Sequence, residues 1–354
     1  MSCVVIGHAS AGGELTLRAL TGLLLVGLAF HVVAFALNDL FDLDLDRTDP
    51  SRAAVSPLIQ GQITPRAAGI VIAAVAAASF VVDLVFFGLS GPRAASAGTV
   101  ALGLGYVALA FYDAFSKTLP IPLVADVVQG AGWACLVWYG AVRGGGATTA
   151  TWLAGLFVVG FVVIVNAVHG GLRDLRNDSA RGMRTTAIAL GAKVDGDGLT
   201  VPVALSGLAW LIQAGLAGLA LVSPLGVRGG FGWWVLWYVV CLTTTAAAVL
   251  LLREGLRSAA DPARFANIGA AHILALWIPL TAMTAMYGGV LHFVAAFAAM
   301  VVPMLGNQDF RTAFAALPGL ATELRPHVIT AATRTKHGFA RVAADIRTRV
   351  GSRS

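Results

Sequence analysis

Asn38-Asp39-Leu40-Phe41-Asp42-Leu43-Asp44-Leu45-Asp46 closes a long apolar segment and is the densest acidic cluster in the chain. On a helix, Asp39, Asp42 and Asp46 stand at i, i+3 and i+7, so three carboxylates share one face. Asn38 lies close to that face, and Asp44 points well away from it. Carboxylates set side by side repel one another, and the cost rises at a membrane edge. A divalent cation relieves that repulsion. Oxygen donors without Cys or His suit Mg²⁺, which is commonly held by one or two carboxylates together with substrate phosphates. The bland alternative is a solvated helix end that happens to be acidic.

Composition sets the class. Of 354 residues, 58% are hydrophobic and only 12% charged, about half the charge of an ordinary soluble domain. This is the composition of a polytopic membrane protein whose first partner is the lipid bilayer. Cys3, Cys135 and Cys241 are far apart and form no metal or redox pattern. Residues 1–16 lack the basic start and apolar run of a signal peptide.

Runs of roughly 17–25 apolar residues mark membrane helices. They fall at about 17–37, 67–89, 95–112, 121–142, 150–170, 200–222, 232–252, 267–286 and 288–304. The last two are separated only around Tyr287-Gly288-Gly289, so the count is eight or nine. The expected fold is an all-α membrane bundle in 1–304, followed by a basic tail over 305–354. With nine spans, 20 of the 24 Lys and Arg residues fall on one side, in the long loops and the tail. The other side holds Arg18, Arg93, Arg143 and Arg228. Basic residues accumulate on the cytoplasmic side, which places the long loops and the C-terminus there. Eight spans would put the basic tail outside.

Two of these loops carry the chemistry. One holds the acidic stretch and continues through Arg52 to Pro57-Leu58-Ile59-Gln60-Gly61. The other reads His169-Gly170-Gly171-Leu172-Arg173-Asp174-Leu175-Arg176-Asn177-Asp178, then Arg181-Gly182-Met183-Arg184-Thr185. Asp174 and Asp178 stand at i and i+4. Two Asp clusters at one membrane surface, each near arginines, suggest a diphosphate held through Mg²⁺, with the forked guanidinium donors also suited to phosphate oxygens.

The ordered set resembles a known family. Asn38-Asp39-x-x-Asp42-x-x-x-Asp46 looks like the first signature of the UbiA superfamily of intramembrane prenyltransferases. Asp174-x-x-x-Asp178 with Gly182 and Thr185 is similar to the second. Tyr112 and Lys117 resemble the family's Tyr and Lys between the two, and Pro57-Leu58-x-x-Gly61 its Pro-Leu-x-x-Gly. The resemblance covers about 20–300. It implies a helical bundle around a central cavity capped by the Asp motifs. It implies an enzyme that binds an isoprenyl diphosphate through Mg²⁺ and ionises the allylic C–O bond. An acceptor, often an aromatic ring, then captures the cation. Carried over by position, Asn38, Asp39, Asp42, Asp46, Asp174 and Asp178 hold Mg²⁺ and diphosphate, and Lys117, Tyr112 and Arg52 serve the phosphate end. Arg173 and Arg176 are candidates from position alone.

Three departures stand out. Only 37 residues precede Asn38, so the family's first helix is either absent or reduced to a remnant in 1–16. Ser56 precedes Pro57 where a basic residue is common. Gly171 stands where some members place another Asp.

Elsewhere, His169 is either a base toward an acceptor hydroxyl or, by the plainer reading, a hydrogen-bonded helix-end histidine. Asp83 sits inside a span far from both motifs and suits helix pairing. Asp126 begins a span on the motif side and is a candidate lining residue. His31, His272, Trp133 and Trp138 read as packing residues or as aromatic shielding for a carbocation. Phe339, Val342, Ile346 and Val350 fall at helical spacing among basic residues, the pattern of an amphipathic helix on an anionic leaflet or of a disordered basic tail. No nucleic-acid module is evident. The competing functions are a terpene cyclase that shares the ionisation machinery and, remotely, a cation transporter. Carboxylates clustered at one face argue against the transporter, since transport sites lie near the midplane.

Overall fold

The computed structural model describes residues 1–47, 53–88, 92–196, 198–223 and 231–306, with the single positions Ala315, Gly319 and Thr322. Arg52 and the tail beyond 306, apart from those three positions, lie outside the described residues. Ten helices carry the architecture: α1 Ser2–Ser10, α2 Leu17–Phe41, α3 Pro65–Phe87, α4 Pro92–Phe115, α5 Pro122–Arg143, α6 Thr149–Ile164, α7 Val203–Val222, α8 Phe231–Arg257, α9 Pro262–Gly288 and α10 Val290–Gly306. Seven of the apolar helices are long enough to cross a membrane, α6 doing so together with its continuation to Arg173. The chain is therefore an integral, multi-pass membrane protein. α5 also runs the length of a span, and the apolar part of α10 is shorter.

The helix starts follow from local chemistry. Pro65, Pro122 and Pro262 sit in first turns, where a missing N–H costs nothing. Thr16, Thr64, Thr148 and Asp261 cap their helices by accepting from a backbone N–H three residues on. Gly289, at φ 88°, ends α9 and separates it from α10. The last two spans are thus two helices, not one long bent helix.

The first ten residues are the main surprise. They form a nine-residue helix, every residue of which is buried. It packs chiefly on α5, and also on α9 and α10. The backbones approach so closely that a Cβ on Gly7 would overlap the Val137 carbonyl and one on Gly140 the Val4 carbonyl. Small residues permit this approach where van der Waals contact is the main glue between helices.

Side-chain contacts sort the helix ends into two groups. At one end, the loops after α2, α4 and α6 meet, and Gly198 abuts Ala260 in the turn between α8 and α9. At the other, Arg143 reaches Asp83, and Thr148 donates to the Ser10 carbonyl. The loop after α6 contains one feature the all-α expectation lacked. Lys193–Asp195 (β1) pairs antiparallel with Gly198–Thr200 (β2), Val194 opposite Leu199.

Candidate active site

The first acidic motif is not one continuous helix. α2 ends at Phe41, Asp42 bends the backbone at φ −86° and ψ 2°, and a short helical turn resumes over Leu43–Asp46. The α-type hydrogen bonds nevertheless continue, Asp42 N–H to Asn38 O and Asp46 N–H to Asp42 O, both 2.8 Å. The bend loosens the single face expected for Asp39, Asp42 and Asp46. Asp42 and Asp46 are half-buried, whereas Asp39 is on the exposed side. Asp44 points to solvent and pairs with Arg47 at 2.8 Å.

The second motif repeats this geometry. Asp174 bends the chain at φ −91° and ψ 0° between Gly171–Arg173 and Leu175–Ala180. The Asp178 N–H donates to Asp174 O at 2.9 Å. Each bend is followed by a buried leucine, Leu43 or Leu175, which anchors the turn in the bundle and leaves the aspartates at its rim. Gly182 closes the second turn at φ 65°, where a side chain would be strained. Its N–H bonds Ser179 O and the Met183 N–H bonds Asp178 O, the paired closure of a glycine-terminated helix. Gly61 plays the equivalent part after the first motif, at φ 71°.

Tertiary contacts bring the two motifs to the α4–α5 loop. Lys117 Nζ stands 2.8 Å from Asp42 Oδ1, both side chains half-buried. The Arg184 N–H, just past the second motif, donates to the Lys117 carbonyl at 3.1 Å. Asp178 is buried, and burial pushes its carboxyl up to about 6. Lys117 and Arg181 oppose that shift, and Asp174 and Asp42 reinforce it. Asp178 therefore feels both clusters. Tyr112 is partly buried near the end of α4, one residue before Asp113.

Asn38 donates from Nδ2 to Asp42 Oδ2 and to Asp113 Oδ1, each at 3.3 Å. Asp113 was not among the residues the sequence singled out. It follows Tyr112 at the end of an apolar span, and its only signal was its position four residues before Lys117. The arginines are placed differently from expectation. Arg176 donates to the Gly196 and Gly198 carbonyls and so braces the β-hairpin. Arg173 forms a two-pronged pair with its neighbour Asp174, at 2.9 and 2.8 Å. A carboxylate in place of Gly171 would meet Ala187, since a Cβ there comes within 2.9 Å of that side chain. The departure from the family pattern is thus built into the packing.

The remaining candidates have partners of their own. Asp126 is buried and accepts from Thr186 Oγ1 at 2.5 Å, tying α5 to the segment after the second motif. His169 lies in a stretch of π-helix, Val165–Gly170, and its Nε2 is 2.8 Å from His272 Nδ1. His272 Nε2 continues to Gln213 Oε1 at 2.9 Å, a buried polar chain joining the α6 continuation, α9 and α7. Asp83 pairs with Arg143 at 2.7 Å and accepts from the Tyr139 hydroxyl at 2.7 Å, enclosed at the far end of the bundle. It pairs helices, as its position suggested.

The candidate ligands at the motif end, the carboxylates of Asp39, Asp42, Asp46, Asp174 and Asp178 and the Asn38 amide oxygen, are oxygen donors, the set a hard divalent cation prefers. Among the described residues no three His, Cys, Asp or Glu side chains converge tightly enough to hold an ion by themselves. Mg²⁺ typically completes its shell with water and phosphate oxygens.

Comparison with known proteins agrees with this architecture. A UbiA homologue from Aeropyrum pernix K1 superposes with a TM-score of 0.56 over 86% of this chain and 98% of its own, at 18% identity. A UbiA homologue from Archaeoglobus fulgidus, solved with GPP and Mg²⁺, gives 0.57 over 85% and 95%, at 15% identity. A digeranylgeranylglyceryl phosphate synthase gives 0.56 over 81% and 92%, at 16% identity. No curated protein matches the sequence. The sequence profile of the UbiA prenyltransferase family matches residues 1–271. By its sequence over three quarters of its length, and by its fold, this chain belongs to the UbiA prenyltransferase family.

Proposed function

We propose that the protein is an intramembrane prenyltransferase that ionises an isoprenyl diphosphate and passes the prenyl group to a second molecule, which the family resemblance makes an aromatic acceptor. The observation that carries this reading is the meeting of both aspartate motifs at the Lys117 loop: Asp42 through its ion pair with Lys117, and the segment just after Asp178 through the Arg184 N–H to the Lys117 carbonyl. The structural relative solved with GPP and Mg²⁺ supports the choice of ligand. In this reading Asn38, Asp39, Asp42, Asp46, Asp174 and Asp178 hold Mg²⁺ and the diphosphate. When bound, the metal supplies positive charge to the departing diphosphate. Lys117 adds a fixed cation at the same place, stabilising charge that grows as the C–O bond breaks. Tyr112, which the family resemblance assigns to the phosphate end, lies next to Asp113 at the end of α4, and Arg52 borders the first motif in sequence. Arg173 is paired with Asp174, and Arg176 serves the hairpin. Further along the bundle from Asn38, the half-buried rings of His31 and Trp133, 6.1 Å apart, are suited to an allylic cation.

The test is pyrophosphate release by the purified protein across a Mg²⁺ titration, with products identified by mass spectrometry. Release that requires Mg²⁺ and an isoprenyl diphosphate, and a prenylated acceptor as product, are the expected results. Cyclised hydrocarbon or alcohol formed without acceptor would assign the chain to terpene cyclisation instead. Metal-independent behaviour with no pyrophosphate release would overturn both.

A further inference from the structure

α2 and α4 end at the same face of the bundle, and two rungs join their ends. Asn38 meets Asp113 and Asp42 meets Lys117, both with a separation of 75 residues. The rungs are therefore in parallel register, one helical turn apart. Asp42 is ion-paired with Lys117, so it is a carboxylate and only accepts. This decides which way the Asn38 amide faces. With Nδ2 toward Asp42 and Asp113, both amide hydrogens have acceptors at 3.3 Å. With the amide reversed, Oδ1 would confront the Asp42 carboxylate, and neither carboxyl would receive a hydrogen. The planar amide then turns Oδ1 away from both acids.

We infer that Asp113 is a positioning residue for the metal site: it holds the Asn38 amide in the orientation that offers Oδ1 as an oxygen ligand. This rests on the Mg²⁺-diphosphate reading above. Asp42 alone engages one amide hydrogen and allows the group to swing about χ2. The second acceptor, on a different helix, removes that freedom. Such outer partners usually matter 10–100-fold to metal affinity. Asp113 needs no contact with metal or diphosphate, which separates its role from those of the motif aspartates.

The experiment reads metal binding directly. Full-length protein in detergent is titrated with Mn²⁺ in the presence of inorganic pyrophosphate, and free Mn²⁺ is followed by electron paramagnetic resonance. Asp113→Ala, which removes the acceptor, is expected to weaken Mn²⁺ binding about tenfold or more. Adding the same change to Asn38→Ala is expected to weaken it no further, because the oriented group is gone. A residue that merely bridges two helices would lower the thermal midpoint and leave the Mn²⁺ affinity unchanged. If Asp113→Ala does not fold, Asp113→Leu, which fills more of the space and also lacks an acceptor, is measured in the same way. Affinity unchanged by the Asp113 substitution overturns the inference. So does an equal further loss in the Asn38→Ala background, which would make Asp113 a ligand itself. If Asp42→Asn also binds Mn²⁺ as the parent does, the metal reading fails as well. Loss with Asp42→Asn but not with Asp113→Ala would sink this inference alone.

Discussion

Asp42 and Asp44 are two residues apart and differ entirely in surroundings. Asp42 bends the chain, is half-buried and meets Lys117 and Asn38, whereas Asp44 faces solvent and pairs along its own turn with Arg47. Asp42→Asn keeps the shape and removes the charge. It is expected to lower turnover at least ~10²-fold, the scale of losing one group that stabilises transition-state charge. Asp178→Asn should do the same from the second motif. Asp44→Asn should stay near the parent rate, because an exposed pair contributes little. Pyrophosphate release by variants of matched thermal stability decides the matter. Equal damage from Asp44→Asn would discredit the assignment of the buried rim as the site, and normal turnover by both other variants would move the diphosphate elsewhere.

At the level of elements, the far end of the bundle is locked by charge. Arg143 on α5 is enclosed between Asp83 of α3 and the rings of Phe87 and Tyr139, whose centroids lie 5.6 and 5.3 Å from the guanidinium. Removing one partner leaves a buried charge without its counter-ion, a loss of about 3–5 kcal/mol. Asp83→Ala should therefore lower the thermal midpoint sharply. Turnover per folded molecule should be preserved, since the pair sits at the opposite end from the motifs. A variant with parental stability would show that α3 and α5 are held by packing alone. The same element scale shows why the sequence left open whether 1–16 holds a helix. Nine residues are too few to register as a span, and α1 is buried because Gly7 and Gly140 let it press against α5.

Across the whole molecule, the loops carrying both motifs gather at one end, together with the α8–α9 turn. By the nine-span reading of the sequence, 20 of the 24 Lys and Arg residues belong to that side. We expect this end and the C-terminus to face the cytoplasm. A reporter fused at the C-terminus and active only outside the inner membrane would refute it. Deleting 320–354 should leave pyrophosphate release largely intact, because every matched motif lies upstream, while attachment to anionic vesicles should fall. A folded truncation without turnover would show that the tail completes the site.

The sequence by itself determined the membrane class, the span positions and the two aspartate motifs. Spans and motifs rest on local pattern: long apolar runs, a charge bias between loops, and carboxylates at helical spacing. It also marked Lys117, through the resemblance of Tyr112 and Lys117 to the family's Tyr and Lys between the two motifs. Only the tertiary structure decided which neighbours those residues keep. Arg176 goes to a hairpin formed by residues 17–24 positions further on. Asp113 enters the site through a helix 75 residues earlier in the chain. Gly171 cannot carry a carboxylate because Ala187 fills its space. Each of these depends on how close two separate backbones come, a distance set by packing across the bundle rather than by any spacing along the chain.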